Sequence, residues 1–201
     1  MRGRPVKHSS TRSLYAYWNE LRGTRAAPDR SEIEPGAIRT VLGDSFLLAS
    51  EASDAPAPAF RLAGTRVCNM FGRELKGASF AAMWQDGDAE AARDLLAIVA
   101  NEIAGIVAGV TGTTAEGLQV DLELLLLPLR HRGAGQARQI GVLVPLAAPF
   151  WLGTTPLTVL ALKSHRHVGA GLDARPATPF MAAAESARVR NGLLVYDGGR
   201  A

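Results

Sequence analysis

At 201 residues, with 47% apolar and 20% charged side chains, the chain has the make-up of one globular domain with terminal additions, large enough to bury a core without a disulfide, metal or cofactor. A single cysteine, Cys68, excludes an internal disulfide; residues 1–10 carry no apolar run behind their basic residues, and the apolar run at 124–129 is too short to span a bilayer. The expectation is a cytoplasmic protein without membrane insertion, and the net charge of +3, mostly alternating with acidic residues, speaks against a nucleic-acid partner.

Residues 1–10 read as a flexible N-terminus. Ser9, Ser10 or Thr11 then caps a helix that carries Leu14, Trp18 and Leu21 on one face, with Tyr15 and Tyr17 beside them, and Gly23 ends it. Residues 24–35 are polar and proline-containing, a connection before a turn at 35–42. Phe46 opens a strand through Ala49, and a proline and alanine loop leads to an alternating stretch, Ala59 to Leu62, which together predict a hairpin. Small apolar clusters, Val67, Met70 and Phe71, then Leu75, then Phe80, Met83 and Trp84, are punctuated by Gly72 and Gly77 and predict short helices.

Asp86 or Asp88 caps the next helix, and Leu95, Val99, Ile103, Ile106 and Val110 recur at helical spacing, so a single long helix is predicted through Val110, its stripe widened by Leu96 and Val107. From Gly117 the period switches to two. Leu118, Val120, Leu122, Leu124 and Leu126 mark one long strand, Ile140, Val142, Val144 and Leu146 a second, and residues 157–168 a third. The tail from 169 to 201, rich in Gly, Pro, Ala and Arg, reads as partly disordered or peripheral, with a weak helical stretch near 180–190 and an apolar patch at 193–196.

The predicted architecture is α+β: an antiparallel five-stranded sheet, covered on one face by helices, with an added N-terminal helix. Its order matches the PAS fold. Tyr17-Trp18 with Leu21-Arg22-Gly23, then Phe60-Arg61-Leu62-Ala63-Gly64-Thr65, Phe71-Gly72-Arg73-Glu74-Leu75 and Leu126-Leu127-Pro128-Leu129, make residues 11–168 resemble a PAS-like family of alphaproteobacterial proteins. The resemblance implies a stand-alone sensory module of bacterial signalling that works with signalling proteins as partners.

In such a sheet Leu118, Val120, Leu122, Ile140, Val142 and Val144 are expected to face Leu95, Val99, Ile103 and Ile106. The resemblance implies a ligand cavity there, lined by Met70, Phe71, Trp84, Val99, Ile103, Leu122 and Val142; a filled apolar core is the competing reading of the same stripes. Leu125 and Leu127 fall on the opposite face and need a cover. The helix bearing Leu14, Tyr15, Trp18 and Leu21 matches it, folding back in cis or pairing across a homodimer, with the homodimer expected.

His165 and His167 sit two apart in a strand, sharing a face as metal or haem ligation requires. With the last three strands consecutive, Arg130, His131, Arg132, Arg138, Lys163, His165, Arg166 and His167 are expected to converge into a basic patch for an anionic partner surface or a phosphate-bearing ligand. With no acidic residue in that cluster, no metal is assigned. Cys68, in Arg66-Val67-Cys68-Asn69-Met70, invites comparison with the flavin-binding cysteine of light-sensing PAS relatives, but the Asn-Cys order is reversed and the Arg-Phe-Leu-Gln continuation is missing, so it reads as a core thiol. The cofactor stays unknown, with none required.

There is no nucleophile elbow, phosphate-binding glycine loop or Cys-x-x-Cys, and Gly64, Gly72 and Gly77 fit no dinucleotide fingerprint, so catalysis is not expected. The reading is a regulator of protein partners gated by a small ligand. Its alternatives are a haem- or nucleotide-carrying sensor and, behind that, a small enzyme using the same cavity.

Overall fold

The computed structural model describes residues 7–49, 58–101, 104–130 and 138–168, together with the backbone of three short strands in the tail. The first helix, α1 (Ser9–Arg22), starts two residues before Thr11, and its cap is His8, whose Nδ1 accepts from the Ser10 N–H at 3.1 Å. A hydroxyl was expected in that role, and the imidazole takes it because an unprotonated ring nitrogen is as good an acceptor for an orphan N–H. Gly23, at φ 55°, ends the helix with its N–H on the Glu20 carbonyl.

Strands β1 (Ser45–Ala49) and β2 (Ala59–Ala63) form the expected antiparallel pair, and α2 (Thr65–Met70) and a 3-10 turn at Ala81–Met83 are the expected short helices. The long helix is shorter than its apolar spacing predicts. Helix α3 spans Ala89–Asn101, and β3 (Gly105–Thr114) follows it, so Ile106 and Val110 lie in a strand. Four is an even number, so residues four apart share a face in a strand as they do in a helix, and Ile106 and Val110 satisfied both periods. Composition separates them: the helix is alanine-rich, whereas β3 is GIVAGVTGTT, nearly all glycine and β-branched residues.

Strands β4 (Gln119–Leu129), β5 (Arg138–Pro145) and β6 (Leu157–Val168) match the three alternating segments. In the tail, β7 (Thr178–Pro179) pairs with β6, and β8 (Ala187–Arg190) pairs with β9 (Leu193–Tyr196) in a separate two-stranded sheet, so residues 187–190 are extended and not helical; the rest of the 180–190 stretch lies outside the described residues. The main sheet runs β2-β1-β5-β4-β3-β6-β7, all neighbours antiparallel. Its strand count exceeds five because β3 and β7 are strands, and β3, not β5, is the neighbour of β6.

Two apolar clusters flank the sheet. The inner one joins α2, α3 and the 3-10 turn to Leu48, Ile106, Ala108, Val110, Leu122, Leu124, Leu126 and Leu160. The outer one joins Leu14 and Trp18 of α1 to Val107, Leu125, Leu127, Ile140, Val142 and Val144. Val142 was expected on the inner face with Leu122. Cross-strand partners share a face, and the register pairs Val142 with Leu125, Ile140 with Leu127 and Val144 with Glu123, which sets β5 one residue out of the expected phase. Leu118 precedes β4 and is exposed. Gly141 occupies the inner position where a Cβ would stand 2.3 Å from Phe46 Cζ and 2.5 Å from the Leu125 carbonyl oxygen, so only glycine lets Phe46 lie across β5.

Candidate functional site

The inner layer holds five of the seven expected pocket residues: Met70, Phe71, Trp84, Val99 and Leu122 are buried in one cluster. Ile103 lies outside the described residues, and Val142 is on the far side of the sheet. Four aromatic rings run through this layer, Phe46 to Phe60 at 5.5 Å, Phe60 to Phe80 at 5.8 Å and Phe80 to Trp84 at 5.7 Å between centroids, tilted or edge-on, with Phe46 and Phe80 stacked at 6.0 Å, arrangements that ring quadrupoles favour.

Gln139 and Trp84 place polar atoms among the apolar side chains of this layer. Gln139 of β5, 1% exposed, donates from Nε2 to the Leu96 carbonyl of α3 at 2.8 Å, while its Oε1 has no hydrogen-bond partner. The indole Nε1 of Trp84, 4% exposed, also lacks one. A buried amide oxygen or indole N–H left unmatched costs about 1–3 kcal/mol each, so such atoms mark places suited to a polar partner. Sequence reasoning singled out Trp84 but missed Gln139; the signal was a lone amide in an otherwise apolar strand, Arg138-Gln139-Ile140-Gly141-Val142.

Buried acids position the elements around this layer. Asp88, just before α3, accepts the Leu162 N–H at 2.9 Å and Gln85 Nε2 at 2.9 Å, tying β6 to the start of the helix. Glu123, buried on the outer face of β4, accepts the N–H groups of Lys7 and His8, both at 2.9 Å. Asp44 accepts Ser10 Oγ at 2.7 Å and is gripped by the Arg66 guanidinium, with Nη2 at 3.0 Å. Burial raises the Asp44 carboxyl, but the hydrogen bonds from Arg66 and Ser10 outweigh it and hold the group below its ordinary range. These two carboxylates fasten the start of α1.

The six expected interaction residues are brought together within the chain. Leu14 and Trp18 of α1 pack on Leu125 and Leu127 with Tyr15 and Leu21 at the margin, and Trp18 Nε1 donates to the Pro128 carbonyl at 2.8 Å. The cis arrangement therefore closes the surface on which the homodimer was expected, because the connection after Gly23 lets α1 lie over its own sheet.

The basic residues separate. Arg138 pairs with Leu129 and Ala49 at one end of β5, and Arg130 exchanges backbone hydrogen bonds with Pro28 and Arg30. His165, Arg166 and His167 lie opposite Ala108, Val107 and Ile106 of β3, so β3 and β4 stand between them and Arg138, about 14 Å at ordinary strand spacing. His131 and Arg132 lie outside the described residues. Lys163 is paired with Asp121 at 2.5 Å, an acid that sequence separation concealed. The two histidines do share the inner side of β6, ring centroids 6.3 Å apart, while Arg166 points outward. Burial, then the neighbouring charge of His167, hold His165 below the usual imidazole range. Among the described residues no group of three or more His, Cys, Asp or Glu is placed to hold a metal. Cys68 is buried, its sulfur 3.8 Å from the Ala63 carbonyl and 3.7 Å from Glu74 Oε2.

Residues 6–144 match the sequence pattern of a PAS domain family. The chain belongs to that family. The match takes in β1 to β5, contiguous in the sheet as β2-β1-β5-β4-β3, and stops before β6, which adds itself to the β3 edge. The inner layer of this PAS domain is therefore closed on one side by a strand outside the match, with Leu157, Leu160 and Leu162 in its core. No curated protein matches the chain. Among solved structures it is similar to one described as an RNA-binding Light-Oxygen-Voltage receptor, at TM-score 0.40 and 18% identity; the alignment covers 63% of this chain, which spans 37% of that one. No helix among the described residues is long and apolar enough to cross a membrane, which says nothing of a β-barrel.

Proposed function

We propose that this chain is a sensory module of bacterial signal transduction that acts by binding protein partners and is gated by a small ligand in the inner layer, without catalysis. Membership of the PAS family supports a sensory role. The observations that carry the ligand reading are two buried, unmatched polar atoms, Gln139 Oε1 and Trp84 Nε1, in a largely apolar layer. A mostly apolar small molecule with a hydrogen-bond donor suits Gln139 Oε1, and one with an acceptor suits Trp84 Nε1.

Gln139 also supplies the lever. Its amide holds the Leu96 carbonyl of α3, so a ligand that engages Gln139 differently in two packings of α3 shifts their populations, and only by the difference in its affinity for the two. Partner proteins read that shift on the outside of the domain. The pairing of Lys163 with Asp121 and the separation of the other basic residues favour protein partners over nucleic acid.

The test is native mass spectrometry of protein purified from a bacterial host, against the denatured mass. An added mass that disappears in Gln139→Ala and Trp84→Phe variants supports the ligand. Masses equal for native and denatured subunits overturn it. A visible absorption band would instead identify a haem or flavin sensor.

A further inference from the structure

Arg30 is a partly buried cation whose guanidinium has no hydrogen-bond or ion-pair partner among the described residues. The carboxylate two residues on is already taken: Glu32 accepts from both Nη1 and Nη2 of Arg25 at 2.9 Å, and also from the Asp29 N–H at 2.6 Å. A guanidinium drawn partly out of water, with five N–H donors and no acceptor, is suited to an anion from outside the chain.

The same residue lines an apolar groove of about 190 Å³ beside β1 and β2. Ile33, Ile38, Leu47 and Ile140 of the outer cluster line it too, with Leu42 and Leu62. Arg30 is the one charged residue of that lining, and the Ser45 hydroxyl is committed to the Leu42 carbonyl at 3.0 Å. Leu42 and Leu62, 37% and 57% exposed, are two of the four large apolar side chains left exposed among the described residues. Exposed apolar side chains gathered at one concavity, with a single polar group beside them, are the make-up of a small-molecule site. The volume exceeds the ~150 Å³ of an apolar cavity that holds benzene.

The wall that bears Arg30 is fixed in advance. Its N–H donates to the Arg130 carbonyl and the Arg130 N–H to the Pro28 carbonyl, both at 2.9 Å. Tyr17 Oη of α1 donates to the Glu32 carbonyl at 3.3 Å and accepts the Glu34 N–H at 2.9 Å. Walls already ordered cost little entropy when a ligand enters.

We propose that this groove binds a small amphipathic carboxylate, its apolar chain against Leu42 and Leu62 and its two oxygens on the Arg30 guanidinium, whose planar fork matches them. Leu47 and Ile140 belong to the outer cluster, so the sheet stands between this site and the inner layer. It is a second site, and it does not depend on the ligand proposed for the first.

The experiment is a titration of the full chain with octanoate and, separately, with octanol, which has the same chain without the charge, followed by amide chemical shifts in heteronuclear NMR. The expected result is saturable shifts at Ile33, Ile38, Leu42 and Leu62, with octanoate bound about tenfold or more tighter than octanol. Arg30→Gln is expected to lower octanoate to the octanol affinity and to leave octanol unchanged. Leu62→Glu, on a different element, is expected to weaken octanoate more than octanol, because it sets a carboxylate beside the bound one. The proposal is overturned by the absence of saturable shifts up to about 5 mM, by a preference for octanoate that survives Arg30→Gln, or by equal loss of both probes in that variant. Shifts centred on Val99 and Leu122 overturn it as well, while supporting the inner-layer ligand.

Discussion

His165 shows how one residue's surroundings set a response of the whole chain. Burial on the inner side of β6 and the neighbouring His167 both disfavour its protonated form, so its folded value lies below the ordinary 6.5. The unfolded chain then binds the proton more readily, and the stability this group contributes is complete above about pH 6.5 and is lost as pH falls toward the lower folded value. Urea unfolding followed from pH 7 to pH 5 is expected to show falling stability, with a shallower slope in His165→Gln; an unchanged slope would remove His165 as the cause. Asp44, held low by Arg66 and Ser10 against its burial, adds a separate loss in the carboxylate range below about pH 4. None of these settings is visible in sequence, where Asp44, Ser10 and Arg66 stand tens of residues apart.

At the scale of an element, α1 is the informative case. Its apolar face was legible from the spacing of Leu14, Trp18 and Leu21, and so was its target, because Leu125 and Leu127 gave β4 a second apolar face that had to be covered. Whether the cover came from the same chain was not legible; that depended on the path of residues 24–42, which brings Ala27, Ile33 and Ile38 into the outer cluster beside α1. Trp18 anchors the helix both by burial and by its bond to the Pro128 carbonyl. Trp18→Ala is expected to cost about 3–5 kcal/mol in urea unfolding. Trp18→Phe, which keeps most of the ring and loses the donor, is expected to cost a smaller amount, because it leaves a buried carbonyl unmet. Equal losses in the two variants would assign the whole effect to the hydrogen bond.

For the whole molecule, the sheet is a wall with an apolar layer on each side, and each layer depends on a segment added to the strands it covers. The outer layer depends on α1 and the inner on β6, which lies beyond the family match. Removing residues 1–23 is expected to bare Leu125, Leu127, Val142 and Val144, giving strong binding of an apolar dye such as ANS and loss of monodispersity. A truncated chain that stays monodisperse and dye-free would show that the outer face needs no cover.

The sequence by itself determined the α+β class, the hairpin, the helices up to α3, three of the long strands and the two-sided character of β4, because each of these is a local period or a local turn chemistry. It determined five of the seven inner-layer candidates for the same reason: Met70, Phe71, Trp84 and Val99 lie in or beside the helical segments that cover the inner face, and Leu122 keeps the period-two phase of β4. The tertiary structure decided the rest. It converted residues 105–110 from helix to strand, since a spacing of four cannot distinguish the two periods until a partner strand is present. It set the phase of β5, and with it the position of Val142, through a register that cross-strand pairing fixes and a one-residue slip reverses. It placed β6 beside β3 and so separated the basic residues, because strand order is a matter of long-range pairing on which local pattern is silent.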